Sequence, residues 1–242
     1  MAYQRWFGAA LMGLVAWIQA PNLAWSALES CDTRKGVHDP LSLYGDEMVF
    51  SVLRDGDPIG VHRVTFDVDG DRLLVGSRFE ARVKVLFVTA FEYLYESKSV
   101  WQDGCLVELK AITDDNGAKS RVSARLADGQ LVIEGPSGAT RGKAGLFPTD
   151  HWHSGVLQSD RVLNTITGQV ARVDIADMGE SRVTVNDAPD SARRYVYSGD
   201  LQTEVWYDGQ GRWVKMRFRA EDGSTIEYVC RKCRRTGPEG PA

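Results

Sequence analysis

Apolar and polar residues alternate along most of the chain in short runs, and doublets of Asp or Asn with Gly separate these runs. In the run RWVKMRFRA, for example, Val214, Met216 and Phe218 alternate with basic residues. A period of two residues is typical of β-strands that turn one face to a core and the other to water. The doublets supply the positive φ that tight hairpin turns require. The pattern therefore predicts about a dozen antiparallel strands joined by hairpins.

These predicted strands form two meanders. The first contains runs at 47–54, 59–68, 72–83, 106–113, 119–126 and 130–134 and an aromatic run that begins at Phe91. The second contains runs at 169–176, 182–185, 192–198, 201–207, 212–220 and 225–229. Residues 135–145 are rich in glycine and have no period, which predicts a flexible surface loop.

The stretch FPTDHWHSGVLQSDRVLNTITG, residues 147–168, has neither alternation nor a turn doublet, and we interpret it as the crossover between the meanders. Thr149 or Asp150 can cap one or two helical turns there. Trp152 is the natural apolar anchor of such a segment, and we expect it to be buried. The predicted fold class is all-β: a strongly curved antiparallel meander sheet, or half-open barrel, with one short helical crossover.

The N-terminus has the features of a secretory signal peptide. One charge, Arg5, precedes the apolar run 6–18, which is shorter than the about 20 residues that span a bilayer. Small residues at Ala24 and Ser26 predict cleavage after Ser26, a periplasmic location and no transmembrane segment after cleavage. A lipoprotein signal ending at Cys31 is the alternative, although Glu29 occupies a position where that signal has a small or apolar residue.

Length and composition then set the domain boundaries. We predict a signal peptide at 1–26, an extended lead-in at 27–44, a single curved β-sheet domain at 45–230 and a basic, disordered tail at 231–242. The alternative for the tail is contact with an anionic membrane or a partner. A formal net charge of -4 excludes a typical nucleic-acid binder, whose affinity comes from Lys and Arg.

Four cysteines, Cys31, Cys105, Cys230 and Cys233, predict disulfides in an exported protein, with three connectivities open. Haem attachment at the Cys230 and Cys233 pair would need histidine where Arg234 stands. A zinc ribbon would need a second close pair of ligands. The pair also follows a strand, unlike redox pairs that open a helix. We interpret it as structural and predict neither a metal nor a cofactor.

The run VLFVTAF, residues 85–91, is apolar on both faces and is followed by further aromatic residues. Such a run is either covered on both sides or lines an apolar pocket. His62 lies on the apolar face of its strand, where a hydrogen-bonded core histidine is the common case. We predict a ligand-binding site formed by Leu86, Phe87, Phe91, Tyr93, Tyr95, His62, His151 and Trp152.

Several motifs carry a family resemblance: RDGDPIGVHRVTF at 54–66, the His-Trp pair at 151–152, LNTITG at 163–168, and WYDGQGRWVKMRF followed by GSTIEY at 206–228. With them the chain resembles a family of exported proteobacterial proteins known only as a domain of unknown function, over most of residues 45–229. The resemblance implies export and an all-β build, and no activity. At the level of fold, the hairpin around 54–66 is also similar to periplasmic half-barrels of the lipoprotein-carrier type.

The sequence has no nucleophile elbow, P-loop, dinucleotide fingerprint or HExxH motif, so we assign no catalytic residue and do not favour an enzyme. The preferred hypothesis is an exported protein that binds or carries an apolar, lipid-like ligand in the cell envelope. One alternative is an envelope module that docks a protein partner through a sheet edge or the basic tail. The other is a hydrolase whose triad is built in space on His62 or His151.

Overall fold

The computed structural model describes residues 39–85 and 88–234. A five-residue helix α1 (Pro40–Tyr44) precedes the strands of the first half, which are β1 (Glu47–Arg54), β2 (Asp57–Asp69), β3 (Arg72–Val85), β4 (Val88–Gln102), β5 (Cys105–Asp115), β6 (Ala118–Ala127), β7 (Gln130–Gly135) and β8 (Gly138–Lys143). The crossover holds β9 (Phe147–Pro148), a 3₁₀ helix (Ser154–Gln158) and β10 (Arg161–Leu163). The second half contains β11 (Val170–Val185), β12 (Ala188–Gly199), β13 (Thr203–Tyr207), β14 (Trp213–Arg219) and β15 (Thr225–Lys232).

All of these strands belong to one sheet. From β1 to β8 each strand pairs with the next, and the same holds from β9 to β15. The two meanders join at the centre, where β1 pairs antiparallel with β15, so β8 and β9 are the two edges. The β9–β10 pair is parallel and the other neighbouring pairs are antiparallel. The predicted all-β curved meander with a short crossover is confirmed.

Doublets of Asp or Asn with Gly form the tight turns that the sequence predicts. In each of four hairpins both central residues have positive φ, which suits the right-handed twist of the flanking strands. These doublets are Asp55–Gly56, Asp103–Gly104, Asn116–Gly117 and Asp128–Gly129.

The sheet curls until β7 and β8 meet the end of the crossover. The amide of Ser137 donates to the carbonyl oxygen of Thr167 at 3.4 Å. Gly135 and Gly168 touch here, since a Cβ added to Gly168 would lie 3.1 Å from the Cα of Gly135. Gly168 also has φ 76°, which glycine adopts without strain. This backbone contact half-closes the barrel.

The crossover enters the barrel and packs there. Trp152 is buried, with ring centroids 5.5 Å from Phe66 and 5.2 Å from Trp101. The hydroxyl of Tyr44 donates to the carbonyl oxygen of Trp152 at 2.8 Å and accepts from the amide of Trp213 at 2.9 Å. The predicted burial of Trp152 is confirmed, and α1 helps to hold the crossover in place.

Three segments differ from the sequence prediction. The lead-in is not extended throughout, because Asp39 caps α1 through the amide of Leu41 and Pro40 begins the helix. Residues 138–143 form the edge strand β8 instead of a flexible loop. The two short strands predicted between 169 and 185 are one strand, β11, with an irregularity between Asp177 and Glu180.

The basic tail also begins later than predicted, because β15 continues to Lys232. Arg231 pairs with Asp187, Lys232 with Glu47 at 3.1 Å, and Arg234 with an aspartate, so these residues belong to the folded domain. Opposite charges on neighbouring strands hold this end of the chain, and that neighbourhood is not visible in the sequence.

A disulfide joins Cys230 and Cys233, which confirms a structural pair. The amide of Asn186, in the β11–β12 turn, donates to the carbonyl oxygen of Cys230 at 3.2 Å. The side chain of Asn186 accepts from the amide of Cys233 at 3.3 Å. The bridge therefore fastens the end of β15 to the β11–β12 turn.

Among the described residues, no helix is long and apolar enough to cross a membrane. The predicted signal peptide, its cleavage after Ser26 and Cys31 lie outside the described residues. Export and a periplasmic location therefore stay predictions.

Candidate ligand-binding cavity

A cavity of about 630 Å³ lies inside the curved sheet, beside the crossover. Pockets for small ligands typically occupy about 300–1,000 Å³, so this cavity has room for one such molecule. Most of the side chains around it come from β2, β3, β4, β14, β15 and the crossover, with single residues from β1, β5 and β13. The larger apolar and aromatic ones are Phe79, Phe91, Tyr93, Tyr95, Trp213, Met216, Phe218, Ile226 and Tyr228.

Tyr228 is the centre of the aromatic wall. Its ring centroid lies 5.8 Å from that of Phe79, 6.2 Å from that of Trp213 and 6.4 Å from that of Phe218. Phe79 in turn lies 5.6 Å from Tyr93. Strand alternation brings the rings of β3, β14 and β15 to the same side of the sheet, and an irregularity in the β13–β14 pairing brings Trp213 to that side as well. The wall offers a large apolar surface to a ligand.

The crossover forms the floor of the cavity. The amide of Trp152 donates to the carbonyl oxygen of Asp150 at 2.8 Å, and Tyr207 donates its hydroxyl to the carbonyl oxygen of His151 at 2.8 Å. The hydroxyl of Tyr95 donates to the side chain of Thr165 at 2.8 Å. The bonds from Tyr207 and Tyr95 fix the floor to the sheet from two sides.

Two histidines face the inner end of the cavity. His62 is 7% exposed and its Nε2 lies 2.7 Å from the Oγ of Ser77, while His151 is 4% exposed. The Nδ1 atom of each ring has no hydrogen-bond partner among the described residues. Burial lowers the pKa of His62 to about 3, with a smaller contribution from His151, and lowers the pKa of His151 to about 4. Both rings are therefore neutral at pH 7.

Asp150 is the third titratable group at this end. Burial raises the pKa of its carboxyl to about 8, and the hydrogen bond from the Nε1 of Trp152 to Oδ2, at 3.1 Å, opposes this shift only in part. The carboxyl is therefore mostly protonated at pH 7. The inner end of the cavity is polar and uncharged.

The rim of the cavity differs in charge from the inner end. Asp115, Glu221 and Asp222 line it and are exposed. Arg54 is the basic residue among the described residues that line the cavity, and it forms an ion pair with Asp222. The rim therefore carries excess negative charge.

The cavity brings together five of the eight predicted site residues, which are His62, Phe91, Tyr93, Tyr95 and His151. Leu86 and Phe87 lie outside the described residues. Their ligand contacts stay predictions.

Trp152 does not line this cavity, contrary to the prediction. It borders a smaller space of about 220 Å³ beside Trp101 and His153. The side chains of His151, whose φ is 56°, and Trp152 point to opposite sides of the crossover. Trp152 is therefore part of the packed core.

The helix of the crossover also differs from the prediction. It is a 3₁₀ helix that begins at Ser154, and His153 caps it by accepting from the amide of Gly155 at 3.0 Å. The ring of His153 contacts Trp101 and Phe147, whereas His151 contacts other rings, so the two histidines do not converge. No group of three or more potential metal ligands is found within residues 39–85 and 88–234.

Sequence reasoning missed several lining residues, among them Ser77, Asp150, Trp213 and Tyr228. Ser77 has a signal, since it interrupts the apolar face of β3 between Val75 and Phe79. Asp150 has none, because its burial depends on where the crossover enters the barrel.

The family follows from a sequence match over most of this structure. Residues 50–231 match the model of a domain of unknown function, DUF6134. The chain belongs to the DUF6134 family. No curated protein matches the sequence of this DUF6134 protein. The family match assigns no function, so the function proposed below is based on the cavity.

The fold of the DUF6134 protein is similar to the crystal structure of a β-barrel-like protein of domain of unknown function DUF1849 from Brucella abortus. The TM-score is 0.55 and the identity is 11%, over 76% of this chain and 94% of that chain. At this identity the similarity supports a barrel-like fold and nothing about function.

Proposed function

We propose that this DUF6134 protein binds an apolar ligand in the cavity inside its curved sheet. The observation that carries the proposal is an unfilled space of about 630 Å³ among aromatic side chains. Protein interiors are close-packed, with few voids larger than a water molecule. The open space among the aromatic side chains is about three times as large as the space of about 220 Å³ beside Trp101 and Trp152.

The partial exposure of the aromatic side chains in the lining supports the same function. Phe79, Phe91, Tyr93 and Phe218 are only partly buried although they surround the cavity. A bound apolar molecule would cover them and gain about 25 cal/mol for each Å² removed from water. The ligand class that fits is a lipid-like molecule with an apolar body.

We place this activity in the cell envelope, as a binding or carrier role. The support is the predicted signal peptide together with the disulfide between Cys230 and Cys233. Disulfides persist in oxidising compartments such as the periplasm.

The hydrolase alternative rests on one contact, between the Oγ of Ser77 and the Nε2 of His62 at 2.7 Å. A triad also needs a group that orients the base through Nδ1, and the Nδ1 of His62 has no partner among the described residues. An efficient general base has a pKa near the working pH, whereas burial lowers the pKa of His62 to about 3. Ligand binding is the better-supported proposal.

The interaction-module alternative keeps one structural support, the edge strand β8, whose outer side has no neighbouring strand in the sheet. An extended segment of an envelope protein could add to such an edge. The version that used the basic tail is weakened, because Arg231, Lys232 and Arg234 are already in ion pairs.

A titration with a neutral, apolar fluorescent dye tests the binding proposal. We expect saturable binding with one dye per chain. Ala81→Leu should weaken it at least several-fold, because Ala81 lines the cavity and the larger side chain fills part of it. Ala139→Leu is the matched control on exposed β8 and should leave binding unchanged. If dye binding does not saturate, or if the dye binds Ala81→Leu and Ala139→Leu equally well, the proposal is refuted and the interaction module is favoured.

A further inference from the structure

We infer that the ligand carries a neutral group that both donates and accepts hydrogen bonds, such as a hydroxyl, and inserts it between His62 and His151. This inference rests on the proposed function and specifies its ligand class: an uncharged amphiphile that enters polar end first. The apolar body then lies along the aromatic wall, toward the rim.

The first observation is the pair of unpartnered atoms. The Nδ1 atoms of His62 and His151 are buried without a hydrogen-bond partner among the described residues. A buried polar atom normally has a partner, and leaving it without one is unfavourable. Both imidazoles line the cavity and lie near one ring, with centroids 5.9 Å and 5.8 Å from that of Trp213. Both imidazoles therefore belong to the same end of the cavity, around Trp213.

The chemistry of neutral imidazole selects the kind of group. One ring nitrogen donates and the other accepts. The Nε2 of His62 is hydrogen-bonded to Ser77. If Nε2 donates in this bond, Nδ1 is an acceptor, and if Nε2 accepts, Nδ1 is a donor. A hydroxyl fits either tautomer because it can donate and accept, whereas an ether or ester oxygen can only accept.

The backbone at His151 is a second, independent observation. Seven non-glycine residues in the described part of the chain have positive φ. Six of them are Asp or Asn in hairpin turns, where this conformation is common. The seventh is His151, with φ 56°, in the crossover. Strained backbone of this kind clusters at functional sites, and here it occurs at a residue whose imidazole lines the cavity.

Charge decides against an anionic head group. The inner end offers neutral imidazoles and the carboxyl of Asp150, with no Lys or Arg among its described residues. The rim carries Asp115, Glu221 and Asp222, and the one arginine among its described residues, Arg54, is already paired with Asp222. A carboxylate would lose its hydration at the inner end without gaining a cation, and it would meet negative charge at the rim. An uncharged head group avoids both penalties.

Competition for the bound dye in the wild-type protein is the first test. The competitors are a straight-chain alcohol, its methyl ether and the carboxylate of the same chain length. We expect the alcohol to compete about tenfold better than the ether, which corresponds to about 1.4 kcal/mol for its extra hydrogen bonding. The carboxylate should compete less well than the alcohol at pH 7. Equal competition by the alcohol and the ether would overturn the inference.

Substitutions test whether the two histidines cause the preference for the alcohol over the ether. In the double variant His62→Phe, Ser77→Ala this part of the wall becomes apolar, so the alcohol should lose its advantage over the ether, whatever the affinity of the dye itself. If far-UV circular dichroism shows that this variant does not fold, His151→Gly replaces it, because glycine accepts the positive φ. The control is Tyr197→Phe, which removes a buried, unpartnered hydroxyl that does not line the cavity. An advantage that survives in the His62 or His151 variants, or disappears in the Tyr197 variant, contradicts the assignment.

The outcomes separate the two proposals. Dye binding without selectivity for the alcohol refutes the polar-end inference and leaves the apolar site standing. Stronger competition by the carboxylate points to an anionic ligand and also refutes the inference. If the dye shows no saturable binding, the proposed function itself fails.

Discussion

His151 and Trp152 are neighbours in the sequence, yet their side chains serve opposite sides of the crossover. His151 lines the cavity, whereas Trp152 packs against Phe66 and Trp101 in the core. The crossover is therefore a partition, with a packed half of the barrel on one side and an open half on the other. Each side leads to separate predictions.

Trp152→Ala should destabilise the protein by about 3–5 kcal/mol, the usual result of truncating a buried tryptophan. Chemical denaturation of the purified protein measures this change. Met178, which is 56% exposed, offers a control, and Met178→Ala should change the free energy of unfolding by less than about 0.5 kcal/mol. An unchanged denaturation midpoint in Trp152→Ala would mean that the crossover is not held by this side chain.

Tyr44→Phe should lower the free energy of unfolding by about 2 kcal/mol, because its hydroxyl serves two buried backbone groups, the carbonyl of Trp152 and the amide of Trp213. Tyr197→Phe is the matched control. Its hydroxyl is also buried but has no partner among the described residues, so its removal should be neutral or slightly stabilising. Similar effects of the two substitutions would show that the hydroxyl of Tyr44 is not bonded as described.

The free energy of unfolding of the wild-type protein should fall as pH rises, and Asp150→Asn should abolish this fall. The pKa of Asp150 rises from its ordinary 3.8 to about 8 on folding, so between these values the folded state binds more protons and stability falls as pH rises. His62 and His151 act oppositely below 6.5, because burial lowers their pKa values. In the unfolded state both histidines are still half protonated at pH 6.5, so the window in which Asp150 dominates is about pH 7.5 to 8, with a slope of about 1 kcal/mol per pH unit.

Urea denaturation at several pH values across that window measures this slope. Asp177 is the control acid, since its hydrogen bond with Arg193 lowers its pKa and it titrates below the window. Asp177→Asn should leave the slope as in the wild-type protein. A slope that persists in Asp150→Asn would assign the pH dependence to another group.

The mature protein should begin at Ala27 and contain a disulfide between Cys31 and Cys105. Cys230 and Cys233 bond to each other, and Cys105 is not a free thiol, so Cys31 is the cysteine that remains for it in the chain. Peptide mapping without reduction, on protein exported to the periplasm, should find the linked peptides. A sulfur in a disulfide cannot also carry a lipid, so a diacylated Cys31 would disprove both the pairing and the cleavage site.

Local patterns carried most of the fold prediction. Alternation at period two and the Asp-Gly and Asn-Gly doublets are properties of neighbouring residues, and they located most of the strands and their turns. The apolar face that holds His62, and the aromatic run with Tyr93 and Tyr95, follow from the same periodicity. That is why these side chains could be predicted to face one interior.

Other features depend on residues far apart in the chain, and only the tertiary structure decided them. Ion pairs with the β11–β12 hairpin made residues 231–234 part of the domain, although their composition indicated a loose tail. Pairing with β7 made 138–143 a strand despite its glycines.

The cavity itself is the clearest case. Whether the inward face of a sheet is filled depends on where the crossover lies. His151 has a positive φ there, and its side chain and that of Trp152 lie on opposite sides of the crossover. Periodicity predicts which side chains face inward, whereas the volume left between them depends on how distant strands curve around the crossover. The sequence therefore predicted an apolar interior, and the packing of distant elements left about 630 Å³ of it open.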